Sequence, residues 1–197
     1  MSSPYGELRI AVLNQGWIRT ELSAKLNCFP HQVIVYYDGF PVDSNRNQIW
    51  KEAKADGIDW LLMTDCDQHW EKNQLDYIAE DKDIIGFPTP IYQPHVDQKR
   101  PIRWNISKGK NAPLVRRELV GSGSLLIAKR VIQHPDMTPA FAIHYNEEGI
   151  RTSGEDMIFC DRANAAGFEI WAALNNPCHH LKEVDLLYLE KLLEREI

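Results

Sequence analysis

Residues 59–67 read DWLLMTDCD. The opening DWLLMT is apolar enough to be a buried strand. The run ends on two carboxylates, Asp65 and Asp67, with Cys66 between them. Successive side chains of an extended chain point to opposite faces, so Asp65 and Asp67 point the same way. Neighbouring carboxylates repel, and one takes up a proton unless a cation sits between them. Hard oxygen ligands of this kind suit Mg2+ or Mn2+, which complete their shells with water and substrate phosphates. A polar turn after a strand gives the same letters, and a bare Asp-x-Asp is common. What surrounds the motif therefore decides how much weight it carries.

Upstream, LRIAVL (8–13) and QVIVYY (32–37) are two further apolar, β-rich runs. Between the three runs lie helical patterns over 18–27 and 45–55, the second closed by Gly57. Downstream, residues 72–80 read as a third helix and DIIGF (83–87) as a fourth strand. This alternation predicts an α/β domain, a Rossmann-like, mostly parallel sheet with helices on both faces. Such sheets bind nucleotides at the carboxyl ends of their strands, where Asp65 and Asp67 fall.

The second half is organised differently. Residues 88–117, rich in proline and cations, predict a long loop. ELVGSGSLLIAKRVI (118–132) predicts a strand running into a helix, with Gly121 and Gly123 permitting close backbone approach. GEDMIFCDRANAAGF (154–168) predicts a helix stopped by Gly167, and FEIWAAL (168–174) a last strand. EVDLLYLEKLLEREI (183–197) predicts a terminal helix with Leu186, Leu189 and Leu193 on one face, packed on the domain. One domain over 1–197 is expected: a nucleotide-binding half (1–87), a half for donor sugar and acceptor (88–182) and the terminal helix.

With 44% hydrophobic and 25% charged residues, the composition is that of a soluble globular protein. No apolar run approaches the roughly 20 residues of a membrane helix, and the first residues lack the pattern of a signal peptide. Cys28, Cys66, Cys160 and Cys178 are scattered without a CxxC pair, which reads as free thiols and a cytoplasmic location. The net charge of −6 argues against a general polyanion binder. Yet Lys99, Arg100, Arg103, Lys108, Lys110, Arg116 and Arg117 follow one another with no acid between them. They read either as a solvated loop or as a mobile one that meets the phosphates of a donor or an anionic acceptor.

Three more groups carry chemistry. Gly154-Glu155-Asp156 opens a helix, where acids favour the dipole and where a carboxylate can also serve as general base. In Cys178-His179-His180, one imidazole completing a carboxylate–diphosphate metal site is a better reading than zinc, since no ligand spacing supports zinc. Arg46, in Ser44-Asn45-Arg46-Asn47 near a helix start, reads either as a solvated surface residue or as a partner for phosphate or an active-site acid.

In this order, the Arg-Asn helix, the Asp-x-Asp after a strand, the Gly-x-Gly strand, Gly-Glu-Asp and the late histidine resemble the GT-A glycosyltransferases, specifically the family-2-like enzymes of bacteria and phages. The resemblance spans roughly residues 8–182, and its most specific parts are DWLLMTDCD, ELVGSGSLLIAKRVI and SGEDMIFCDRANAAGFEIW with the following CHHL. It implies a GT-A fold and transfer of a sugar from a nucleotide diphosphate sugar, with UDP the expected nucleotide. It also implies a set of roles. Asp65 and Asp67 hold the Mn2+ or Mg2+ ion and the ribose, and His180 is the metal histidine. Asp156 is the base and Glu155 its neighbour on the donor or acceptor sugar. Arg46 lies near the diphosphate, and Asn14 and Asp38 near the nucleobase. Gly121, Ser122 and Gly123 lie where the donor sugar passes the sheet. The chain departs from the pattern in having Leu-Lys after His180 and no separate acceptor domain. The acceptor can be a glycan, a protein or, as with phage enzymes, a modified nucleic acid. Readings from other classes are a nucleotidyltransferase, a phosphohydrolase and a non-catalytic sugar-nucleotide-binding protein.

Overall fold

Each apolar run of the first half forms a strand. The structure is a computed structural model that describes residues 6–14, 16–29, 33–38, 41–93, 102–106 and 114–183 of the 197. Along the chain lie β1 (Leu8–Asn14), α1 (Thr20–Leu26), β2 (Val33–Asp38), α2 (Val42–Asp56), β3 (Trp60–Asp65), β4 (Gln68–Trp70) and a 3₁₀ helix over Gln74–Glu80. They are followed by β5 (Ile84–Gly86), β6 (Pro90–Tyr92), β7 (Ile102–Trp104), β8 (Val115–Arg117), β9 (Ser124–Ala128), α3 (Lys129–Ile132) and a 3₁₀ turn over Pro135–Met137. The last elements are β10 (His144–Tyr145), β11 (Arg151–Ser153), α4 (Glu155–Ala165), β12 (Ile170–Ala172) and β13 (Cys178–His180). Among the described residues no helix is long and apolar enough to cross a membrane.

The main sheet has seven strands in the order β2-β1-β3-β9-β5-β12-β8. β1 pairs in parallel with β2 and β3, and β5 with β12, whereas β9 runs antiparallel between β3 and β5 and β8 runs antiparallel on the β12 edge. Strand direction is thus mostly parallel, as expected, while the sheet is mixed. Both faces are covered, which is why the strands read as unbroken apolar runs. Leu61 and Met63 of β3 join Ile49, Trp50 and Ala53 of α2 and Phe159 and Ala163 of α4 on one face. Leu62 joins Leu22 and Leu26 of α1 and Trp70 of β4 on the other. Leu62 is 0% exposed. Leu62→Ala is therefore expected to cost about 3 kcal/mol of stability, measured by urea denaturation. A loss below about 1 kcal/mol would take Leu62 out of the core.

Gly57 ends α2 as the sequence predicts. Its φ of 66° is left-handed, and Ile58 N–H closes back on Ala53 O. Three expectations need correction. Residues 74–80 are 3₁₀ rather than α, because Asn73 Oδ1 captures Leu75 N–H and Asp81, with φ 47°, returns its N–H to Ile78 O. The expected loop 88–117 contains structure: β6 and β7 pair as a ribbon, and β8 is an edge strand, where arginines are tolerated and Arg116 pairs with Glu169. The strand of 118–132 begins only at Ser124, because Gly121, Ser122 and Gly123 turn tightly against other chain segments. A Cβ at Gly121 would lie 2.2 Å from Asn105 Nδ2, and one at Gly123 2.1 Å from Gln68 Nε2. The expected terminal helix with Leu186, Leu189 and Leu193 lies outside the described residues.

Candidate active site

The carboxyl ends of β1, β2 and β3 lie side by side, since Leu13 is in register with Asp65 and Asn14 with Asp38. Beyond β3 the chain is fixed by its backbone. Asp65 N–H donates to Gly123 O (2.9 Å), and Cys66 N–H to Leu13 O (2.8 Å). Arg19 N–H donates to Cys66 O (3.1 Å), and Leu181 N–H to Asp67 O (2.8 Å). A cleft of about 610 Å³ opens here, lined by Asn14, Trp17, Arg19, Asn45, Asp65, Asp67, His180 and Lys182 among others.

His180 reaches Asp67 through strand pairing. β4 follows the Asp-x-Asp directly and pairs antiparallel with β13, setting Gln68 opposite His180 and His69 opposite His179. His180 Nε2 lies 3.3 Å from Asp67 Oδ2, and its Nδ1 is 2.7 Å from Pro90 O. His179 points to the other side of the ribbon, stacked on His69 at 4.5 Å and 3.0 Å from Glu71 Oε1. Lys182 Nζ also donates to Asp67 Oδ2. Burial works against the Asp67 charge, but the bonds from His180 and Lys182 outweigh it and hold its pKa below the usual value. Burial likewise disfavours a charged His180, and Asp67 with the Pro90 carbonyl overcomes it to raise the pKa. Asp65 goes the opposite way, pushed up by burial, with Arg46 opposing and the Asp67 charge adding to the push.

Arg46 lies beneath the cleft rather than in it. Only 2% exposed, it donates from Nη2 to Asp65 Oδ1 (3.0 Å) and brings Nε within 4.0 Å of Glu155 Oε1. Glu155 is held further by Ser122 Oγ (3.1 Å) and Arg151 (3.1 Å). The start of α4 is thereby tied to the end of β3. Asp156, the next residue, accepts from the N–H of Met157 (2.9 Å). The dipole at a helix start would by itself lower the proton affinity of an acid there. The structure reverses this, because burial and then the Glu155 charge push the Asp156 pKa up.

Asp65, Asp67, His180 and Asn14 thus meet in one cleft, with Arg46, Glu155, Ser122 and Gly123 directly behind it. Gly121 stands one residue further off, against Asn105, and Asn14 Oδ1 is occupied by Gly16 N–H (2.7 Å). Asp38 ends β2 exposed and is not part of the cleft wall. The zinc alternative finds no support. Cys160 and Cys178 belong to core clusters on opposite faces of the sheet, and burial pushes each thiol up to about 12.

Among the described residues, no group of three or more His, Cys, Asp or Glu side chains is placed to hold a metal ion. Asp65, Asp67 and His180 line one cleft, and carboxylate oxygens are the donors that a hard divalent ion takes together with phosphate and water. Sequence reasoning missed Trp17, Arg19 and Lys182. Trp17 is 46% exposed at the rim, and the Arg19 guanidinium lies 4.9 Å from its ring centre. Only the position of Trp17 and Arg19 just after the first strand could have pointed to them.

The doubly covered mixed sheet has a GT-A-like α/β fold. Solved structures agree on the fold. A197 from STIV matches with a TM-score of 0.65 at 15% identity, over 90% of this chain and 86% of that one. GalNAc-T7, solved with UDP, GalNAc and Mn2+, matches with a TM-score of 0.54 at 9% identity, over 96% of this chain and 48% of that one. No protein-family model matches the sequence, and neither does any curated protein.

Proposed function

We propose that this protein is a metal-dependent glycosyltransferase that moves a sugar from a nucleotide diphosphate sugar, with UDP the expected nucleotide, to an acceptor hydroxyl. The observation that carries the reading is the convergence of Asp65, Asp67 and His180 on one cleft that is joined through Arg46 to Glu155, the chain neighbour of Asp156. Asp65, Asp67 and His180 would hold Mn2+ or Mg2+, which would supply positive charge against the departing diphosphate. Trp17 offers a face for the base and Arg19 a cation for the phosphates. Gly121, Ser122 and Gly123 give the donor sugar a close backbone to pass. Arg46 is a positioning residue that fixes Asp65 and Glu155. Asp156 takes the acceptor proton as the new bond forms on the face opposite the diphosphate, which makes the reaction inverting. Glu155 is less suited to that task, since Ser122, Arg151 and Arg46 already engage its oxygens.

Lys99, Arg100, Lys108 and Lys110 lie outside the described residues, and Arg116 is paired with Glu169. A thermal-shift screen of nucleoside diphosphates and their sugars, with and without Mn2+, tests the proposal. UDP with Mn2+ is expected to raise the melting point by about 5–10 °C at a hundred times its Kd. With a hydroxyl acceptor, turnover releases nucleoside diphosphate. Release of pyrophosphate or phosphate would favour a nucleotidyltransferase or phosphohydrolase. Donor binding with no turnover on any acceptor would favour a binding protein.

A further inference from the structure

We propose that Lys182 exchanges partners during donor binding, holding Asp67 in the empty cleft and the donor diphosphate in the loaded one, and so couples the binding of cation and nucleotide. The inference rests on the donor-site reading above. Its basis is an asymmetry. The Asp67 side chain is 14% exposed and that of Lys182 43%. A carboxylate so enclosed is costly without a positive partner, whereas a half-exposed ammonium on a flexible stem can leave at little cost. Lys182 is nevertheless anchored next to Asp67, because Leu181 N–H is bonded to Asp67 O and β13 is paired to β4. When a divalent ion takes Asp67, the ammonium loses its partner but stays on the cleft wall. There a diphosphate offers it a new one.

The sign of the effect follows. A cation binding alone must displace Lys182 from Asp67, and the ammonium gains only water in exchange. A cation binding with a nucleoside diphosphate displaces it onto an anion. Lys182 therefore weakens binding of the cation alone and strengthens binding of the pair, which is positive, reciprocal coupling.

Mn2+ titration followed by electron paramagnetic resonance, with and without UDP, separates these effects without any turnover. Wild type is expected to bind Mn2+ weakly alone and more tightly with UDP. Lys182→Met is expected to bind Mn2+ alone several-fold more tightly and to lose at least about fivefold of the UDP-induced gain. Lys182→Arg, which keeps the charge, is expected to behave as wild type and controls for damage to β13. An unchanged UDP-induced gain in Lys182→Met overturns the exchange, as does weaker binding of Mn2+ alone. If wild type shows no UDP-induced gain at all, the donor-site reading itself fails and the inference goes with it.

Discussion

Asp67→Ala is expected to abolish cation-dependent binding of nucleoside diphosphate while the protein stays folded. Asp67 has no role in either core cluster, and its side-chain contacts are Lys182 and His180 at the cleft wall. Losing even the outer partners of a metal ligand costs about 10–100-fold in affinity, so losing a ligand costs at least that. Calorimetry with Mn2+ and UDP should show no measurable heat at concentrations that saturate wild type. Asp65→Ala should have the same binding defect with an added cost to stability. It removes the closest partner of the buried Arg46, and an uncompensated buried charge costs about 3–5 kcal/mol. Asp65→Asn keeps an oxygen near Arg46 and should melt closer to wild type. Full Mn2+-dependent binding in a folded Asp65/Asp67 double mutant would end the metal reading.

Some of this site could be read in the sequence because its signals are local. DWLLMT announces a buried strand by its composition, and alternation then puts both carboxylates on one side. The start of α4 and the stop at Gly57 are likewise short-range patterns. Strand direction is not. A central antiparallel strand buried on both faces has the same apolar letters as a parallel one, so SLLIA could not reveal that β9 lies between β3 and β5. The partners of Asp67 were hidden for a related reason. His180 and Lys182 reach it only because β4 pairs with β13, in a register that places Gln68 opposite His180. Apart from the family resemblance, which favours His180, nothing local separates His179 from His180, and one residue of register puts them on opposite sides of the ribbon. Arg46 reads in the sequence as a solvated residue or as a partner for phosphate or an active-site acid, and its burial and its pairing with Asp65 depend on how α2 packs against the sheet.

Asp156→Asn is expected to leave donor affinity near normal and to lower turnover by about two to four orders of magnitude, the range general-base catalysis supplies. The raised proton affinity of Asp156 strengthens this expectation, because a base works best when its pKa approaches the working pH. It also fixes a second observable. Burial and the Glu155 charge raise the pKa in the folded state above the unfolded value. The neutral carboxyl therefore contributes stability below the unfolded pKa, and that contribution is lost as pH rises through the folded pKa. At pH 7 the ionised Asp156 costs stability, and asparagine removes the charge. The variant should melt slightly higher than wild type at pH 7, with the difference shrinking towards about pH 4, near the ordinary aspartate pKa. A stabler but nearly inactive protein is what a residue kept for chemistry leaves behind. A residue kept for capping α4 would give the opposite pair, normal turnover and a lower melting point. Glu155→Gln supplies the control. It removes the charge that raises Asp156, so whatever turnover remains should have its acid limb at lower pH than wild type. Normal turnover in Asp156→Asn together with inactivity in Glu155→Gln would move the base to Glu155. Normal turnover in both would take the start of α4 out of the reaction altogether.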